Sequence, residues 1–282
     1  KIILVMYLGA DSIYAINLKR HKKRFQLLKD IEKEINININ IIEGIDNKDV
    51  VPLTPKFIKS YLPPKFFDPG GMFSIGIICC ALSHRKAYKA FLDSGDEIGL
   101  FLEDDAMPTH YIHNYDFKKI REELDNLDWG VCWYGKWEHD MRIEERLSEN
   151  LYNHPPHVDK NHAAHAYLLN RKSAQWFYDN TEKIKYAADI RLEFSPFNQI
   201  SLDHSIFIQK HREFLFGNKD VIWQEEWWHS TMDDVKSVRH FDGYRKYPVG
   251  TFSKMLPIKS KEYKTIFHKG KEILGREYEL YV

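Results

Sequence analysis

Three consecutive carboxylates, Glu103, Asp104 and Asp105, close the segment 98–105, I-G-L-F-L-E-D-D. Acids at successive positions repel one another unless a cation lies among them, and oxygen ligands suit Mg²⁺ or Mn²⁺. A divalent ion held by few carboxylates usually also takes phosphate oxygens, so a nucleotide is the expected substrate. The ordinary alternative is that the acids cap the next turn or lie solvated in a loop. The apolar run before them, bounded by Gly95 and Asp96, reads as a buried strand of a parallel sheet. Ligands of open α/β sheets gather beyond the carboxyl ends of the strands, which is where this strand delivers its acids.

Several elements must position that turn. Residues 12–18, S-I-Y-A-I-N-L, read as the first inner strand. The basic run 19–24 follows, and then Phe25, Leu28, Ile31 and Ile35 recur at helical spacing. A strand leading into a basic helix start suits a phosphate held by backbone N–H groups and arginines; a solvated basic face is the plain alternative. Residues 37–45 give a second strand with Asp46 at its exit. The Pro- and Gly-rich stretch 51–73 reads as a long surface excursion over the site. Residues 76–92 form an amphipathic helix closed by Gly95, with Ser83 and His84 at its middle. A lone histidine there is more often packed in the core than ligating.

Beyond the acids Pro108 breaks the chain. Phe117, Ile120, Leu124 and Leu127 mark a third helix, 129–134 the next strand, and 136–149 a charged segment expected to move. A strand at 162–169 and a helix at 172–180 follow. The segment 201–207 reads as the start of another helix with Ser201 as its N-cap. Alternating strands and helices argue for an α/β fold. There is no internal repeat or low-complexity tract. Toward the C-terminus Trp223, Trp227 and Trp228 cluster around Glu225 and Glu226. Eight Lys/Arg against one acid between Tyr244 and Lys271 could fold over a pyrophosphate or lie solvated.

The whole chain excludes several classes. Its 282 residues suffice for one large domain, and 43% hydrophobic with 29% charged residues rules out a disordered or fibrous protein. Basic and acidic residues balance at 41 each, so no molecular field points to nucleic acid. Cys79, Cys80 and Cys132 make no disulfide framework, which suggests a cytoplasmic or otherwise reducing compartment. The opening K-I-I-L-V-M-Y-L is too short for a transmembrane span or a signal peptide, so no secretory leader is visible. The first residue is not Met, leaving room for residues upstream. The sequence leaves a homo-oligomer open.

Four segments together resemble glycosyltransferase family 25, the lipooligosaccharide and procollagen galactosyltransferase group. They are I-Y-A-I-N-L-K-R-H-K-K-R-F (13–25), G-I-I-C-C-A-L-S-H-R-K-A-Y (76–88), F-L-E-D-D-A (101–106) and H-A-Y-L-L-N-R-K-S-A (165–174), with S-L-D-H-S-I-F further on. The most specific part is Leu-Ser-His followed about twenty residues later by Glu-Asp-Asp. Two positions depart from the family pattern: Ile77 stands for its Glu and Cys79 for its second Gly.

The resemblance implies a GT-A-like nucleotide-sugar-binding α/β domain over 1–282, with a central mixed sheet flanked by helices and 215–282 as an extension over the site. It implies a metal-dependent inverting transfer of a hexose from UDP-galactose, UDP-glucose or UDP-N-acetylglucosamine to a glycan or a hydroxylysine-type protein hydroxyl. Mn²⁺ or Mg²⁺ then falls to Asp105, with Glu103 or Asp104 assisting, and His240 is the choice of third ligand over His229 and His268. Asn17, Arg20, Arg24, Ser83 and His84 belong on the donor side, and Asp203 is the expected catalytic base. Its plain alternative is a carboxylate at a helix N-terminus. Two competing functions are a non-catalytic sugar-binding or scaffold protein on a degenerate transferase fold and a glycoside hydrolase using a carboxylate pair.

Overall fold

The computed structural model describes residues 8–46, 49, 60–62, 65–69, 75–135, 145–154, 164–209, 258–268 and 271–280. In chain order the elements are β1 (Ser12–Asn17), α1 (Lys22–Glu34), β2 (Asn40–Glu43), β3 (Lys65–Pro69), α2 (Ile75–Ser94), β4 (Ile98–Glu103) and β5 (Ala106–Pro108). A 3₁₀ turn (His110–Asn114), α3 (Phe117–Asp125), β6 (Val131–Gly135), β7 (Tyr152–Asn153) and β8 (Ala166–Asn170) follow. Then come α4 (Arg171–Asn180), α5 (Ala188–Glu193), β9 (Gln199–Ser201), β10 (Phe207–Gln209), β11 (Ile258–His268) and β12 (Lys271–Leu280).

Seven strands make a mixed sheet in the order β2-β1-β4-β8-β6-β9-β7. β1 is parallel to both β2 and β4, while β8 runs antiparallel to β4 and β6 on either side of it. Helices flank this sheet, and α2 lies against β1, β2 and α4. β5 and β10 form a separate antiparallel ribbon, and β11, β12 and β3 form a three-stranded sheet. Among the described residues no helix is long and apolar enough to cross a membrane.

β4 is buried along its first five residues because both of its faces are covered, so it reads as a continuous apolar run. Its side chains still alternate. On one face Phe101 stacks between Tyr14 of β1, with centroids 5.7 Å apart, and Tyr167 of β8, 5.5 Å away. Trp133 of β6 continues this row at 6.1 Å from Tyr167. The register sets the four rings side by side, pairing Tyr14 with Phe101, Phe101 with Tyr167, and Tyr167 with Trp133. Each such pair adds about 0.5–1.5 kcal/mol beyond its buried area. α2 lays His84, Tyr88 and Phe91 over the row at helical spacing: Tyr88 and Phe91 meet Phe101 edge-on, and His84 stacks on Tyr167. Gly99 leaves the room this needs, since a Cβ there would come 2.8 Å from the Phe91 ring.

Three expectations change. The inward stripe of α1 is Arg24, Leu28 and Ile31, while Phe25 is 39% exposed. A periodic count of apolar residues places arginine outside; here buried acids draw Arg24 in. Ser201 does not cap a helix. It ends β9, and the chain returns as β10 to pair with β5. The excursion expected at 51–73 contains β3, paired antiparallel with β12. Arg146, inside the segment expected to move, bridges to Tyr152, and 136–144 lie outside the described residues. The tryptophan cluster and His240 also lie outside them.

Candidate active site at the exit of β4

β1 and β4 are parallel neighbours, so they deliver Asn17 and Glu103 to the same edge of the sheet. Asp104 and Asp105 form the turn between β4 and β5. The helix that follows β1 brings Arg24 to this edge. The three acids, adjacent in sequence, have three different environments.

Asp104 is clamped. Its carboxylate accepts from Asn17 Nδ2 at 2.8 Å and from Arg24 Nη1 at 2.6 Å, and His21 Nδ1 lies 3.5 Å away. Burial alone would raise this carboxyl, but the His21 ring and the Arg24 guanidinium hold it below the usual range. Arg24 is itself buried. Desolvation would weaken its hold on its proton, and the neighbouring charges of Asp105 and Asp104 more than reverse that.

Asp105 is buried with less compensation. Its Oδ2 lies 3.7 Å from Arg24 Nη1, and its Oδ1 has no hydrogen-bond partner among the described residues. Burial pushes this carboxyl up to about 7; Arg24 opposes the rise, while Glu103 and Asp104 add to it. A buried carboxylate oxygen without a donor beside two further acids suits a hard divalent cation, which takes oxygen ligands and reverses such a shift. On this observation the residues present fit the Mn²⁺ or Mg²⁺ that the sequence implies.

Glu103 faces α2, because it lies two residues after Phe101 on the same face of β4. Its Oε1 is 3.2 Å from His84 Nε2 and 3.7 Å from Cys80 Sγ, and its Oε2 is 3.5 Å from Gln209 Nε2. The other ring nitrogen of His84 is 2.7 Å from the Tyr167 hydroxyl, which is 2.8 Å from that of Tyr88. Burial would lift the Glu103 carboxyl, yet the hydrogen bond and charge of His84 bring it below its ordinary value. Burial and the neighbouring Glu103 push the Cys80 thiol well up.

A second group lies across the β5–β10 ribbon. The acids precede Ala106, which pairs with Gln209, and Asp203 precedes Phe207, which pairs with Pro108. The two groups therefore sit at opposite ends of a three-residue ribbon. At about 3.3 Å per residue the ribbon is roughly 7–10 Å long. Asp203 Oδ1 accepts from the Tyr115 hydroxyl and lies 3.2 Å from His204 Nδ1. The His204 ring stacks on Tyr111 at 4.3 Å.

Of the residues singled out from sequence, Asn17, Arg24, His84, Glu103, Asp104 and Asp105 meet at this one edge. Arg20 pairs instead with Asp46 at the exit of β2, Nε to Oδ2 at 2.5 Å. Ser83 donates to the Cys79 carbonyl at 2.6 Å and accepts from the Ile45 N–H at 2.8 Å, tying α2 to the chain beyond β2. Sequence reasoning passed over His21, Cys80, Tyr115, Tyr167 and His204. The Cys-x-x-x-His spacing of Cys80 and His84, one helical turn, was an available signal; nothing local marks the other four.

The family model described as glycosyltransferase family 25 (LPS biosynthesis protein) matches residues 10–192, a span containing both β1 and β4 with the acids. The chain belongs to glycosyltransferase family 25. Procollagen galactosyltransferase 2 of Homo sapiens is 28% identical over 175 residues, covering 60% of this chain and 27% of that protein. Its counterpart in Mus musculus is 29% identical over 150 residues, covering 52% and 24%. This chain thus spans about a quarter of the length of the curated relatives it matches. A solved glycosyltransferase involved in glycosylation of the major capsid of PBCV-1 aligns with a TM-score of 0.39 at 9% identity, covering 70% of this chain and 92% of that one. That likeness is too distant to bear on the fold.

Proposed function

We propose that this chain is a metal-dependent inverting glycosyltransferase that moves a hexose from a UDP-sugar to a hydroxyl of a glycan or a protein. Family membership supports the class of reaction. The observation that carries the metal-dependent donor reading is the buried, unpartnered Oδ1 of Asp105 at the exit of a central strand. The mixed sheet flanked by helices supports a GT-A-like reading of its own span, β1 to β9; we read 1–282 as one such domain, with 215–282 as its extension. The curated relatives are named procollagen galactosyltransferases, which favours galactose as the sugar and a collagen-like protein as the acceptor; with the nucleotide-sugar reading this makes UDP-galactose the first donor to test and a hydroxylysine-type hydroxyl the first acceptor. UDP-glucose and UDP-N-acetylglucosamine are the next donors to test, because pockets separate such sugars weakly.

A bound divalent cation would neutralise charge on the departing diphosphate. Asp105 would hold it through the free oxygen. Asp104 instead fixes Arg24, Asn17 and His21 around the turn, so the acids keep their positions when a diphosphate arrives. Asp203 accepts the proton of the attacking hydroxyl through Oδ2, while Tyr115 and His204 hold Oδ1 in place. The acceptor oxygen then bonds to the anomeric carbon as UDP leaves from the opposite face.

A UDP-release screen over UDP-sugars with and without Mn²⁺ tests this. Release from one UDP-hexose should require Mn²⁺ and fall roughly two to three orders of magnitude in Asp105→Asn, by analogy with loss of a preorganised charge-stabilising group. Equal release by Asp105→Asn, or release unaffected by chelator, removes Asp105 from the reaction. Glycan binding without response to UDP or Mn²⁺ would favour the sugar-binding scaffold instead.

A further inference from the structure

Cys80, His84 and Glu103 converge on one point from two elements, and the acid turn leaves them unexplained. Sγ, Nε2 and a carboxylate oxygen all lie within 4.8 Å of one another. We propose that these three side chains form a second metal site, selective for a zinc-class ion, with an open fourth position. It does not rest on the transfer reaction proposed above.

The two edges that meet at Glu103 Oε1 fit the ion. Zinc binds nitrogen and oxygen at about 2.0–2.2 Å and thiolate sulfur at about 2.3 Å in a tetrahedral arrangement. Ligands at those lengths stand about 3.3 Å apart for an N/O edge and about 3.6 Å apart for an S/O edge. The edges here are 3.2 Å from His84 Nε2 to Glu103 Oε1 and 3.7 Å from Cys80 Sγ to the same oxygen. The helix supplies two ligands one turn apart on one face, and the strand supplies the third from its edge position beneath them.

The surroundings hold the ligands in ligating orientation. A metal-bound histidine usually has its other ring nitrogen engaged by a fixed polar group. His84 Nδ1 lies 2.7 Å from the Tyr167 hydroxyl, and Tyr88 holds that hydroxyl at 2.8 Å. This two-step chain, backed by stacking of His84 on Tyr167, aims Nε2 at the cluster. Gln209 Nε2, 3.5 Å from Glu103 Oε2, steadies the carboxylate oxygen that does not face the metal. Cys80 and Glu103 are only half-buried, which leaves an approach for the ion.

Donor softness separates this site from Asp105. A thiolate, an imidazole and one carboxylate favour Zn²⁺ or Co²⁺, whereas an all-oxygen set favours Mg²⁺ or Mn²⁺. Binding releases the thiol proton of Cys80 to solvent and involves no redox change. Glu103 is then a ligand of the second site, and Asp105 is left as the carboxylate for the diphosphate-bound ion.

The test uses the full chain stripped with a chelator and titrated with Co²⁺ and Zn²⁺. One equivalent of Co²⁺ should produce a near-ultraviolet thiolate-to-cobalt charge-transfer band and intense visible bands of tetrahedral geometry. One equivalent of Zn²⁺ should bleach both, and excess Mn²⁺ should not. Cys80→Ser should lose the charge-transfer band, whereas Cys132→Ser and Asp105→Asn should keep it. Tyr167→Phe should weaken cobalt binding by about tenfold, the ordinary loss when a group orienting a metal-bound histidine is removed. On the wild-type chain, which avoids any folding defect of the variants, Zn²⁺ should protect Cys80 from alkylation as read by peptide mass. Weak, octahedral cobalt bands, a charge-transfer band that survives Cys80→Ser, or equal alkylation of Cys80 with and without Zn²⁺ would overturn the site and leave a hydrogen-bonded triad.

Discussion

Adjacent acids in this chain do opposite things, and the difference is set by their partners. Asp104 neutralises the buried guanidinium of Arg24, with side chains 8% and 4% exposed. Removing one member of a buried ion pair typically costs about 3–5 kcal/mol, because the other charge is left without its partner. Asp104→Asn should therefore lower the unfolding free energy by about 3 kcal/mol, an amount that competes with the whole stability of an ordinary domain. Asp105→Asn should leave stability unchanged or raise it, since it removes a carboxyl whose charged form is already disfavoured by burial. Urea unfolding of the two variants without divalent ions decides this. Equal destabilisation would mean that the two acids share one role.

Between elements, Asp11 ties the start of β4 to α3 outside the site. Its Oδ2 accepts from the Glu97 and Ile98 N–H groups, at 3.0 and 2.9 Å, where β4 begins. Its Oδ1 accepts from Arg121 Nη1 of α3 at 2.5 Å. Burial opposes the charge on this carboxyl, but Arg121 and the two backbone donors outweigh it and lower its pKa. A depressed carboxyl contributes in full above its unfolded value near 4 and loses that contribution as pH falls through its lower folded value. Asp11→Asn should therefore cost about 1–2 kcal/mol at pH 6, with the deficit shrinking below about pH 4. Urea midpoints from pH 6 down to the acid limit measure it, and a deficit constant with pH would contradict the assignment. Legibility followed the same logic of partners. β4 and α2 were plain in the sequence because apolar runs and helical periods are local patterns. Burial of Arg24 was not, because periodicity counts a cation as outward-facing until its anionic partner is placed. β9 was missed because three residues carry no period, and Ser201 then imitates a helix cap. Cys80 and Glu103 meet only once β4's alternation is set against one turn of α2.

At the scale of the molecule, charge balance shapes how a donor would be captured. With 41 basic and 41 acidic residues the chain has no net field to draw an anion in, so the proposed site would hold UDP through the local edge of β1, α1 and β4. That edge presents carboxylates as well as Arg24, and a diphosphate placed there would meet repulsion from Asp105 unless a cation lay between them. UDP and Mn²⁺ should consequently bind as a linked pair. A ligand at a hundred times its dissociation constant adds about 2.7 kcal/mol of stability. At about 2–4 °C per kcal/mol, the value for chains somewhat shorter than this one, that is a rise of roughly 5–10 °C in Tm. Thermal unfolding should show this rise with UDP and Mn²⁺ together, a much smaller one with either alone, and none of the synergy in Asp105→Asn. Galactose-1-phosphate, which lacks the uridine and the diphosphate, should not replace UDP. A full shift from UDP in the presence of chelator would mean that the nucleotide is held by the basic side chains of α1 without a bridging ion, and the exit of β4 would then lose its place as the donor site.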